Sequence, residues 1–213
     1  MKGRELAHVS AAVLIMFVVS SLAFILGKGA LVNVMQVFVF SIIVVGVPVL
    51  VKKWVAYFLD SSVEHEIWMV KRFGFRDKDV LKKPIPFGVL LPLILSAMSL
   101  GFFKVLTFLT YEPRALKHRA AKRFGFYSYT EMTDWHTGLI GAAGVLVLWV
   151  IAIVSYLPGW GYLAKMAAYY AFWNIIPIAK LDGSQIYFGN RILWTVFAVV
   201  TLIFAFYAFA LGV

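Results

Sequence analysis

Apolar blocks about as long as a bilayer is thick are the feature that most constrains this chain. Residues 8–27, 30–51, 137–157 and 191–211 form four such blocks, and residues 162–178 form a fifth, shorter one. A helix of ~20 apolar residues, rising ~1.5 Å per residue, matches a hydrocarbon core of ~30 Å. The composition points the same way. Of 213 residues, 62% are hydrophobic and 14% charged, too little polar surface to solvate a water-soluble globule. The fold class expected is therefore an all-α polytopic membrane protein. Cysteine is absent, which excludes disulfides, thiolate metal sites and cysteine nucleophiles.

The first block comes after MKGRE, as in a signal peptide, but it is too long and no small-x-small cleavage site comes after it, so it reads as a retained helix. Only a few residues around Lys28 separate it from the second block, which makes residues 1–51 a transmembrane hairpin. Residues 52–83 are rich in charge, with apolar patches at Trp54, Val55, Tyr57, Phe58 and Leu59 and at Ile67, Trp68 and Val70. That composition predicts a helix at or just under the membrane surface. Residues 85–109 are apolar again but hold Pro92, Ser96, Ser99, Gly101 and Lys104. They either span the bilayer or enter and leave on one side.

Charge placement separates these two treatments. If residues 85–109 span, the basic stretches before and after them fall on opposite sides, against the positive-inside bias. If they are re-entrant, Lys2, Arg4, the 52–83 stretch, the Arg114–Arg123 region, Lys180 and Arg191 all face the cytoplasm, and only Lys28 and Lys165 face outward. The expected topology is five spanning helices plus a re-entrant segment in a multi-pass protein of the cell membrane, with the basic loops cytoplasmic. Residues 52–190 form the core region and residues 191–213 a C-terminal transmembrane helix. The formal charge of +10 then serves attraction to acidic lipid. No segment offers the basic, aromatic-lined groove that a nucleic acid needs. The run KRFGF occurs twice, at 71–75 and 122–126, as a duplicated surface element or by chance.

Two clusters carry candidate chemistry. In FWNIIPIAKLDGSQI, Asn174 lies inside an apolar block, Pro177 ends or kinks the helix, and Asp182 sits between Leu181 and Gly183. An acid at a broken helix near the membrane needs a partner and is a functional-site candidate. A surface turn is equally consistent with Asp-Gly. In EHEIWM, His65 and Glu66 form the first half of H-E-x-x-H, in which two imidazoles on one helical face hold zinc and the glutamate activates its water. Met69 stands where the second histidine belongs, and a thioether is a poor zinc ligand beside oxygen donors. The alternative is a solvated amphipathic helix whose charged face holds Glu64, His65, Lys71 and Arg72.

On Asn174, Pro177 and the Leu181-Asp182-Gly183 triplet, the chain resembles the site-2 protease family of intramembrane zinc metalloproteases, in its compact archaeal form. PFGVLLPLILSAMSLGFF is similar to that family's membrane-associated segment, and GLIGAAG, ending at Gly144, to the start of its next core helix. The resemblance runs over residues 48–186 and implies that Asp182 ligates zinc beside His65, with Glu66 as general base and Glu64 or His136 as a further ligand. His136 reads equally as a solvated helix-end residue, and His118 as surface charge.

The family pattern is incomplete here: Val145 stands after Gly144 in place of proline, Ser184 replaces a glycine, and no register supplies both zinc histidines. The cofactor expectation is accordingly none or zinc. The function expected is a non-catalytic site-2 protease-like protein that binds a partner transmembrane helix, as a regulatory or assembly subunit, along a groove lined by Gly144, Tyr169, Tyr170, Ala171 and Phe172. The alternatives are an intramembrane metalloendopeptidase with atypical ligands, and a transporter or channel component.

Overall fold

The computed structural model describes residues 3–26, 31–72, 80–99, 105–116 and 132–210. Lys28, Arg76, Lys104, His118 and the second KRFGF run lie outside these residues. Helix α1 (Gly3–Leu26) and helix α2 (Leu31–Phe58) pack together as the expected hairpin. α2 carries Pro48 inside it and continues seven residues beyond the predicted block, through Lys52 and Lys53. The apolar patch from Trp54 to Phe58 thus belongs to the end of a long helix.

Beyond α2 the chain is extended, where a surface helix was expected. Asp60, with φ of 50°, turns the chain in the left-handed region that Asp tolerates better than most residues. Strand β1 (Ser61–Ile67) then buries Ser61, Val63, His65 and Ile67, while Ser62 and Glu66 are exposed. This alternation is that of a strand covered on one face. β1 pairs antiparallel with β4 (Leu109–Ala115), Ser61 opposite Ala115 and Ile67 opposite Leu109. A second pair joins β2 (Val70–Arg72) to β3 (Val80–Ile85). The fold is dominated by helices, with these four short strands added where α2 ends.

Helix α3 (Phe87–Met98) has 12 residues and is about 18 Å long at ~1.5 Å per residue, well short of a hydrocarbon core. Both ends of its segment meet one residue. The Trp68 carbonyl accepts from the Gly88 N–H at 2.9 Å, and the Trp68 N–H donates to the Phe108 carbonyl at 3.2 Å. A Cβ at Gly88 would lie 2.6 Å from the Phe108 oxygen, so glycine is what lets the outgoing and returning chains approach. Val105, Leu106, Thr107 and Phe108 are all buried as the chain returns.

Helix α4 (Asp134–Tyr156) begins at Thr133, whose side chain accepts from the His136 N–H. It packs on α2, on α5 (Gly161–Ile175) and on the short α6 (Asp182–Gly189), while α7 (Arg191–Ala210) packs on α5 and α6. Among the described residues, four helices, α1, α2, α4 and α7, are long and apolar enough to cross a membrane. The fifth expected spanner is shorter than its sequence block: α5 has 15 residues and ends at Ile175, since Ile176, the residue before Pro177, is driven out of the helical region. Exposed Ile192, Val196, Val199, Ile203, Phe206 and Phe209 on α7 would be an unsustainable surface in water and are the expected one against lipid.

Candidate functional site

Asp182 is brought into the core by the break between α5 and α6. Pro177 is exposed, and Ala179 takes a left-handed φ of 52° to reverse the chain. Ser184 then ties the new helix down, its hydroxyl donating to the Ala179 carbonyl at 2.7 Å and to the Leu181 carbonyl at 2.9 Å. A Cβ on Gly183 would collide with the Ile175 carbonyl, so α6 folds back onto α5 only with glycine there. Asn174 is buried, and its amide donates to the Tyr170 carbonyl of its own helix at 2.8 Å. The N-x-x-P-x-x-x-L-D-G run is thus a helix break that sets Asp182 inside the protein, and the surface-turn reading of Asp-Gly does not hold.

Asp182 is 2% exposed and faces Lys52 of α2. The ammonium donates to Oδ1 at 2.7 Å and to Oδ2 at 2.6 Å, and it lies 4.9 Å from the centre of the Tyr111 ring. The Tyr111 hydroxyl donates to the Thr137 carbonyl at 2.7 Å. Glycines on α4 make the approach possible. A Cβ on Gly144 would overlap Lys52 Cε, one on Gly141 would sit 2.7 Å from the Tyr111 hydroxyl, and one on Gly138 would sit 3.0 Å from the Gln185 carbonyl. The Gly138, Gly141, Gly144 spacing in GLIGAAG is the face against which α6, Tyr111 and Lys52 close.

A second pair lies beside the first. Lys53 donates to Glu5 Oε2 at 2.6 Å, and Glu5 Oε1 accepts from the His65 backbone N–H at 3.2 Å. His65 Nδ1 is 3.1 Å from the same oxygen. A carboxylate only accepts, so Nδ1 carries the proton and Nε2 is left as a lone pair. Among the described residues, Nε2 is buried without a partner. Burial, with the charge of Lys52 adding to it, pushes the His65 imidazole down to about 3, and Glu5 only partly offsets them, so the ring is neutral.

These positions decide how the sequence candidates stand to one another. His65 is on a strand, so Glu66 points to the opposite, exposed face and cannot share a reacting atom with it. The i, i+4 logic of H-E-x-x-H needs a helix and has none here. Met69 lies beyond the strand, exposed; Glu64 faces Arg114 at 3.5 Å; and His136 contacts Thr133 at the start of α4. Gly144 and Ala171 are buried within this chain's own packing, Gly144 against Lys52, so they line no open groove. Zinc at His65 and Asp182 does not fit this arrangement. Both Asp182 oxygens hold the ammonium, Nδ1 holds Glu5, and among the described residues no three His, Cys, Asp or Glu side chains are placed to hold a metal. No family model matches the chain, and neither the curated proteins nor the solved structures contain a detectable match.

Lys52, Glu5 and Tyr111 are the members the sequence reading missed. Lys52 and Lys53 end an apolar run and look like membrane-edge charges. The signal that they are internal to a helix is the apolar spacing of Val51, Val55 and Phe58 around them.

Proposed function

We propose that this chain is a non-catalytic, site-2 protease-like membrane protein that binds a partner transmembrane helix as a regulatory or assembly subunit. The observation that carries this reading is a cleft of about 220 Å³ between α4, α5 and α7, lined by Ala152, Gly161, Ala164, Ala168 and Ala208 with Tyr156 and Phe204 at its sides. Small residues on helices at membrane depth let another helix come close enough to pack, which is how helices associate where lipid competes for apolar contact. Exposed Ile153 and Tyr207 extend the same surface. On α5 the cleft is lined by residues between Gly161 and Ala168, just before the Tyr169–Phe172 face chosen from sequence.

The topology belongs to the same proposal. Residues 85–109 are read as a re-entrant segment, supported by the Trp68 bonds to Gly88 and Phe108, with the basic loops cytoplasmic and held near acidic lipid. A photo-crosslinker at Ala164 in native membranes should capture one full-length membrane protein, and Ala168→Trp should abolish the capture. Labelling of lipid alone overturns the partner. A partner found cleaved, and restored to full length by Glu66→Gln, overturns the non-catalytic reading.

A further inference from the structure

We propose that the outward face of the last turns of α2, formed by Trp54, Tyr57 and Phe58, is a lipid-docking surface that seats on the headgroup–acyl boundary of the leaflet facing the basic loops and pins the height of α2 there. The inference goes beyond the partner-binding reading and stands whether or not a helix docks in the α4–α5–α7 cleft.

The three side chains are 64%, 71% and 64% exposed and meet edge to face, Trp54 with Phe58 at 4.8 Å between ring centres and Tyr57 with Phe58 at 6.1 Å. They do not belong to a frayed helix end. On the other side of the same turns Ala56 is fully buried and packs with Val63 of β1, Tyr111 of β4 and Ile140 of α4, so a fixed backbone holds the rings outward. Such a cluster is costly in water. Trp and Tyr join an apolar ring to one polar tip, which suits the layer where acyl chains give way to headgroups.

Height along α2 identifies the occupant. Met35, Val39, Ile42 and Leu50 are exposed at helical spacing, and a Cβ on Gly46 between them would meet nothing within 4 Å, so they form one stripe that Trp54 and Phe58 continue. From Met35 to Trp54 the stripe rises about 28 Å at ~1.5 Å per residue, close to the ~30 Å of a hydrocarbon core. Its side chains change from aliphatic to aromatic where that length runs out. Two other elements carry exposed rings at the same end of the bundle. Trp135 lies in the first turn of α4, five residues before the Ile140 that packs on Ala56. Phe188 of α6 precedes Gly189, where a Cβ would lie 2.8 Å from the Asp134 carbonyl oxygen. Rings on three elements at one level make a belt, which a bilayer boundary requires and a patch for docking one protein does not. With the belt at this height the β1–β4 sheet lies on the water side, and Lys52, two residues before Trp54, roots its ion pair just inside the boundary.

The test uses the full chain, which has no cysteine, in phosphatidylcholine vesicles with a spin label on Leu50→Cys or Phe58→Cys. Collision with oxygen, which concentrates among acyl chains, and with a nickel chelate, which stays in water, reads the height of each label. The Leu50→Cys label should meet oxygen alone and the Phe58→Cys label both reagents. When the acyl chains are lengthened, the Leu50→Cys label should keep its distance from the nearer phosphates. Adding Trp54→Ser/Tyr57→Ser/Phe58→Ser, all at exposed positions, should let that distance shift by ~3 Å or more, two residues of helix rise. A Phe58→Cys label met by nickel alone puts the face in water and overturns the proposal. A label shielded from both reagents shows a second copy of this chain covering the face, and overturns it too. A Leu50→Cys distance that moves equally with and without the three serines overturns the pinning.

Discussion

Lys52 and Asp182 are 130 residues apart in sequence, and the lysine Nζ lies 2.7 and 2.6 Å from the two carboxylate oxygens. The pair joins α2 to α6, and both side chains are almost wholly enclosed, 7% and 3% exposed. Removing one partner of such a pair costs about 3–5 kcal/mol, because the other charge is left buried, while replacing both with apolar groups costs far less. Lys52→Met and Asp182→Leu should each lower the thermal transition strongly, and the double variant should recover most of the loss. Strictly additive losses would show that the two charges do not depend on one another.

Glycines at two positions should respond in opposite ways. Gly183→Ala forces a Cβ into the Ile175 backbone, which has no flexible atom to yield, and should cost several kcal/mol or block folding. Gly46 in α2 has nothing within 4 Å of the added carbon, so Gly46→Ala should be neutral or stabilise by up to about 1 kcal/mol through helix propensity. Denaturation in detergent compares them. Equal effects would mean that α5 and α6 are not in contact at Gly183.

His65 sets an acid limb of stability. Its folded value, about 3, lies below the ordinary 6.5, so between these values the unfolded chain binds a proton that the folded chain refuses. Stability should be flat above pH 6.5 and fall as pH drops from there toward 3, by up to about 1.4 kcal/mol per unit. The groups facing the ring are Glu5 on α1, Lys52 and Lys53 on α2 and Tyr111 on β4. Glu112, held below its usual value by Lys180, adds its own loss only under about 4.5 and is exposed, so its share is small. In His65→Gln the slope between pH 6.5 and 4.5 should vanish; a slope that persists assigns it elsewhere.

The absence of cysteine allows a clean topology measurement. Single cysteines at Lys83 and Arg114, both exposed, flank the segment whose ends meet at Trp68. Both should react with an impermeant thiol reagent from the same side of the membrane, the cytoplasmic one. Reaction from opposite sides would make residues 85–109 a spanning segment.

The membrane class and four of the long helices were legible from residue order because each needs only local information: a run of apolar side chains as long as the bilayer is thick. The broken helix at Pro177 was legible for the same reason, since a proline acts on its own turn. The strand at Ser61–Ile67 was not. A seven-residue alternation has no means of excluding a helix until β4, more than 40 residues later, supplies its hydrogen-bonding edge. The Asp182 site divides in the same way. That an acid beside a helix break at membrane depth needs a partner can be read from the sequence and the cost of burying charge. Which residue meets it was decided by packing: three glycines on α4 permit α6, Tyr111 and Lys52 to converge, and the cation that arrives is the lysine of α2 rather than anything held by His65.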